Sequence, residues 1–131
     1  MPATAFTAHL IGDAIAGGTP YAGPATVYLA LTTTTPSATV PGVEITAGSY
    51  ERKAFAQSGW TNDGAGGLTN TADIAYVEAT VDYDDDVIAV EAYTASTVGT
   101  RLWYIVLTVP KEIVAGQTPT FLAGDLELTV V

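Results

Sequence analysis

Short apolar runs rich in β-branched and aromatic residues, each closed by a turn signal, dominate the chain after its N-terminal block and constrain its fold most. "ATVYLAL" alternates Val27, Leu29 and Leu31 against Tyr28 and Ala30, the period of a strand. Further runs follow at "YERKAF", "DIAYVEAT", "VIAVEAY", "RLWYIVLTV", "TPTFLA" and "LELTVV", with "TNDGAGG", "VAGQ" and "AGD" as turns between them. Six or seven such strands predict a mainly β fold, an antiparallel β-sandwich or jelly roll. Within it "LWYIVL", apolar on both faces, reads as a central strand covered by a second sheet and by a helix or a neighbouring subunit.

Two segments depart from this pattern. Residues 1–18 place Phe6, Leu10 and Ile15 at helical spacing before the Gly17–Gly18 stop, which predicts a short N-terminal α-helix packed on the sandwich or on a neighbour. Residues 32–49, "TTTTPSATVPGVEITAGS", are rich in Thr and broken by Pro, and read as an extended arm or long loop reaching an adjacent subunit. A length of 131 residues suits one domain spanning 1–131.

Charge and composition narrow the function. Fourteen acids against four bases give a net charge of −10, which repels phosphate backbones and argues against nucleic-acid partners. With no cysteine there is no disulfide framework, thiol nucleophile or zinc–thiolate site. The stretch from Ala14 to Val43 carries no charge, but Thr, Pro and Gly interrupt it too often for a membrane helix. The N-terminus lacks the basic region of a signal peptide, so a soluble chain is expected.

The segment that looks most like chemistry is "DYDDD". Asp82, Asp84 and Asp86 fit the first, third and fifth positions of a calcium loop, but Val87 and Tyr93 stand where that loop needs glycine and a bidentate glutamate. A solvated turn is the preferred reading, with no metal expected and a calcium site on those three residues the weak alternative. Adjacent wet carboxylates supply no reason for split pKa values, and the single histidine, His9, has no traceable nucleophile, so no catalytic residue and no cofactor are expected. Trp60, Trp103 and the tyrosines read as core or subunit contacts, or alternatively as a sugar-stacking platform. The basic pair Arg52 and Lys53, following Tyr50, reads as an orienting contact to an acidic neighbour. Interface candidates are therefore Phe6, Leu10, Ile15, Tyr50, Arg52 and Trp103.

Four blocks carry a resemblance: "HLIGDAIAGGTPYAGPATVYLALTTTTP"; "GVEITAGSYERKAF", in which Ser49, Tyr50 and Arg52 fit a recurring Ser-Tyr-x-Arg; "LTNTADIAYVEATVDY"; and "LWYIVLTVPKEIVAGQTPTFLAGDLELTVV". Over nearly its whole length the chain resembles a family of small virion structural proteins of tailed bacteriophages, often labelled tail fibre proteins. The resemblance implies a non-enzymatic virion component, made in the host cytoplasm, whose partners are the major capsid protein or tail proteins. The absence of internal repeats favours a capsid-decorating (cement) protein, with a homotrimer as the simplest assembly. The alternatives are a tail, collar or fibre component, or a carbohydrate-binding module contacting host glycan.

Overall fold

The computed structural model describes residues 25–62 and 67–129. Its strands are β1 (Thr26–Thr32), β2 (Lys53–Ala56), β3 (Trp60–Asn62), β4 (Gly67–Asn70), β5 (Ile74–Ala75), β6 (Val87–Tyr93), β7 (Arg101–Lys111), β8 (Thr120–Phe121) and β9 (Glu127–Thr129), with a 3-10 turn at Gln57–Gly59. Every strand pairing is antiparallel. The strands form a sheet in the order β2-β1-β6-β7, a sheet β3-β4-β9 and a pair β5-β8. The mainly β, antiparallel expectation is met, whereas the helix predicted over residues 1–18, with Phe6, Leu10 and Ile15, lies outside the described residues.

Register assigns the two faces of the four-stranded sheet. Leu29 opposes Ala92 and Leu31 opposes Val90, which in turn opposes Ile105, so these side chains share one face. With Val27, they join Ile74, Tyr76, Tyr83, Ile113, Phe121 and Leu126 in one hydrophobic cluster, so residues 74–83 and 113–126 cover this inner face. Each of the larger buried side chains contributes roughly 1.5–3 kcal/mol relative to exposure. The outer face carries Tyr28, Ala30, Glu91, Tyr93 and Tyr104.

Two sequence expectations need correction. Strand β7, which contains "LWYIVL", lies at the edge of its sheet, not at the centre. A register shift between Ala92 and Tyr93 leaves Leu102 as an extra residue, so Leu102 and Trp103 are both buried without β7 needing two strand neighbours. A second irregularity between Val87 and Ala89 takes up residues 107–110, and Pro110 beside it suits an edge. "TNDGAGG", read as a turn between strands, gives its own ends to two further strands, because Trp60–Asn62 and Gly67–Asn70 pair as β3 and β4.

Asn70 explains why two of the sequence blocks belong together. Its buried amide donates from Nδ2 to the carbonyls of Ala72 and Leu122, each at 2.9 Å, and Oδ1 accepts from Leu126 N–H at 2.9 Å. Its own carbonyl accepts from Gly124 N–H at 2.8 Å. Three residues on, Asp73 Oδ1 accepts from Ala123 N–H at 2.9 Å. The "NTADI" segment is thus stitched to the "FLAGDL" turn by side chains that satisfy backbone groups the short strands leave over. Asn70→Ala is expected to lower the unfolding free energy by roughly 2–4 kcal/mol, since it removes three bonds and strands buried partners. Urea denaturation of the two proteins measures this; a loss within error of zero would refute the staple.

Candidate functional site

The outer face of the sheet holds the chain's most organised polar chemistry. Glu91 sits in the middle of β6 and is fully buried, at 0% exposure. Its Oε2 accepts from Arg101 Nη1 at 2.6 Å and from Gly42 N–H at 3.3 Å, and its Oε1 accepts from the Tyr93 hydroxyl at 3.3 Å. Arg101 also donates from Nη2 to the Ser37 carbonyl at 2.5 Å, and its guanidinium lies 5.3 Å from the centre of the Tyr104 ring. Residues 33–43 therefore fold back as a closed loop over the sheet, held further by Thr33 N–H to Val43 O at 2.8 Å and Ser37 N–H to Val40 O at 2.9 Å. Gly42 permits the approach: a Cβ there would meet Thr34 O at 2.7 Å and Thr32 Cβ at 2.8 Å. Within the single chain, this part of the 32–49 segment is a long loop whose polar contacts are internal.

A second network adjoins the first. Arg52 presents a two-pronged contact to Glu44, with Nε to Oε2 at 2.9 Å and Nη2 to Oε1 at 2.9 Å. Its Nη1 donates to the carbonyls of Ala95 at 3.0 Å and Val98 at 2.8 Å, and its guanidinium stacks 3.9 Å from the Tyr93 ring centre. The Tyr50 hydroxyl donates to Glu44 Oε2 at 2.7 Å and accepts from Leu31 N–H at 2.9 Å. The Ser-Tyr-x-Arg residues act together: Ser49 Oγ donates to Glu78 O at 2.6 Å while Tyr50 and Arg52 hold Glu44. Gly48, at φ 55°, makes the turn; a Cβ there would meet Thr80 Oγ1 at 2.5 Å. Arg52, read from sequence as an orienting contact, meets its acidic neighbour, Glu44, within the chain. Its side chain is 9% exposed, and its Nε, Nη1 and Nη2 all donate within the chain. The acceptor Glu44 was missed because it lies eight residues away across a loop, where no helix or strand period links the two.

The other sequence candidates are dispersed. Trp103 is a core residue at 8% exposure, 5.6 Å from Trp60 in an edge-to-face contact that continues to Phe55. The aspartates do not converge. Asp82 Oδ1 caps the Ala115 N–H at 2.8 Å, whereas Asp84, Asp85 and Asp86 line an open depression with Thr33 and Glu112. Tyr83, between them, turns inward onto Tyr50, and its hydroxyl has no hydrogen-bond partner among the described residues. Among the described residues no group of acidic or histidine side chains gathers as a metal centre would.

Burial holds the Tyr50 phenol well above its ordinary range; the Leu31 N–H opposes the shift and the Glu44 carboxylate adds to it. Burial raises Tyr76, Tyr83 and Tyr93 as well. In the unfolded chain these phenols ionise near 10.0, whereas in the folded chain burial raises all four. The folded state thus binds more protons above that pH, so stability is complete below it and falls as pH rises beyond it. Chemical denaturation at stepped pH is expected to show this alkaline decline, with a shallower slope for Tyr50→Phe; equal slopes would remove Tyr50 from the effect.

For the buried pair, Glu91→Ala leaves Arg101 without its carboxylate and is expected to cost roughly 3–5 kcal/mol. Replacing both, Glu91→Leu with Arg101→Met, is expected to recover most of that loss, because a buried pair contributes little over an apolar substitute. Equal destabilisation of single and double variants in urea melts would contradict this account.

No curated protein matches the sequence. A family model described as podophage GP4 fiber I protein gp80 matches residues 2–129, nearly the whole length over which the two networks and the Asn70 staple are distributed, and the chain belongs to that family.

Proposed function

We propose that the chain is a non-enzymatic, fibre-type structural component on the outside of a phage particle, made in the host cytoplasm and assembled there with other virion proteins. The family match over residues 2–129 carries this reading. The side-chain chemistry supports it: Glu44 and Glu91 are neutralised in place by Arg52 and Arg101, and Asn70, Asp73 and Asp82 close backbone turns. Such groups, committed to partners within the chain, suit a rigid scaffold. Packing of residues 74–83 and 113–126 against the inner face of the four-stranded sheet supports a sandwich-like arrangement of layers. A closed homo-oligomer, with a trimer the simplest form at a threefold site, is the assembly that goes with this role.

Capsid decoration is the second reading, favoured by the absence of internal repeats, since a cap or clamp needs no shaft. The glycan-binding alternative, built on Trp60, Trp103 and the tyrosines, gains less support, since Trp60 and Trp103 pack edge to face with each other. Labelling of the chain in intact particles, followed by particle reconstruction, separates these readings. Density on a tail fibre is the expected result, density on the head lattice would replace it with decoration, and absence from purified particles would overturn both.

A further inference from the structure

We propose that residues 80–86 form a flap that opens from the folded body and carries Tyr83 out of the core, uncovering Tyr50 beneath it. The segment has no regular secondary structure, and both its ends are fixed. Ala79 makes two hydrogen bonds to the turn opposite, N–H to Gln117 O and O from Gly116 N–H, each at 2.8 Å, and Val87 begins β6. Between these ends every residue is exposed except Tyr83. Among the described residues, the segment's hydrogen bonds to the rest of the chain are Ser49 N–H to Thr80 Oγ1 at 3.2 Å, Ala115 N–H to Asp82 Oδ1 at 2.8 Å and Tyr83 N–H to Ile113 O at 3.0 Å. A segment held by so few contacts can open while the sheets stay folded.

Two forces oppose closure. The Tyr83 hydroxyl is shut away from solvent with no hydrogen-bond partner among the described residues, so the closed state bears its desolvation and opening returns it to water. The other force is charge. Asp84, Asp85 and Asp86 line one open depression with Glu112, which precedes the Ile113 that accepts the Tyr83 N–H, and no basic side chain among the described residues lines it. Carboxylates on the flap thus stand against a carboxylate on its seat. The Tyr83 ring holds the flap shut: it is buried, at 7% exposure, and meets Tyr50 edge to face with 6.2 Å between centres. Tyr50 in turn joins Glu44 to β1. Opening therefore lets water reach the hydrophobic side of the Glu44–Arg52 network, a conformational device that links this network to the acidic surface. It holds wherever on a particle the chain sits.

Hydrogen exchange, followed residue by residue by NMR on the full chain, tests the flap. The Tyr83 and Ala115 amides are expected to exchange through a shared opening that low urea leaves unchanged, whereas amides inside β6 exchange more slowly and through an opening that urea promotes. Tyr83→Phe, which keeps the ring and drops the hydroxyl, is expected to slow both flap amides about tenfold. Raising the salt from about 0.1 M to about 1 M, or combining Asp84→Asn, Asp85→Asn and Asp86→Asn, is expected to slow them as well, because each weakens the repulsion across the depression. Exchange of the two amides only together with β6 overturns the flap. So does a Tyr83→Phe chain in which they exchange as fast as in the native protein or faster, since the hydroxyl is then satisfied when the segment is closed. Exchange unmoved by both salt and the three asparagines also overturns it.

Discussion

A carboxylate buried in the middle of a strand is the constraint from which the outer half of the structure follows. Glu91 has no access to water, so it requires a cation and further donors in place. Arg101 supplies the charge from the adjacent strand, and Gly42 supplies an N–H only because residues 33–43 turn back over the sheet. Arg101 then reaches Ser37 from the same position, so one guanidinium fixes both the β6–β7 pairing and the roof. The net stabilisation from such a pair is small once desolvation is counted. Its effect is on placement: a wrong register of β6 against β7, or an open loop, would leave a charge buried without a partner.

Arg52 extends that logic to the sheet end. Stacked on Tyr93, whose hydroxyl contacts Glu91, it ties the 94–100 turn to Glu44 and, through Tyr50, to the backbone of β1. The Ser-Tyr-x-Arg block thus has a physical reason: each named side chain closes a loop that would otherwise lie loose on the sheet.

How far the sequence revealed this depends on how local each signal is. Strand β1 was readable because Val27, Leu29 and Leu31 alternate with Tyr28 and Ala30, and β6 because β-branched residues and a tyrosine fill a short apolar run. The place of β7 in its sheet was not, since apolar residues on both faces look alike whether a second strand or a bulge buries them, as at Leu102 and Trp103. Strands β3 and β4 were obscured by brevity and by the glycines between them. Asn70 was visible only as part of a recurring block, because its partners lie up to 56 residues away and no spacing rule connects an amide to a distant turn. The aspartate run was read correctly as exposed for Asp84, Asp85 and Asp86, but the cap that Asp82 places on Ala115 depends on a tertiary approach.

The distribution of charge bears on how a strongly acidic chain can be packed beside others in a particle. Asp84, Asp85 and Asp86 line an open depression with Thr33, at the start of the loop that roofs the outer face. On that outer face, Arg52 and Arg101 are committed to neutralising Glu44 and Glu91 and are not offered to solvent. Two of the chain's four bases are thereby used to neutralise carboxylates within the chain, while Asp84, Asp85 and Asp86 stay exposed, keep their surface hydrated and repel like surfaces. Such a distribution biases which surfaces meet in assembly without requiring any strong individual ion pair across the contact.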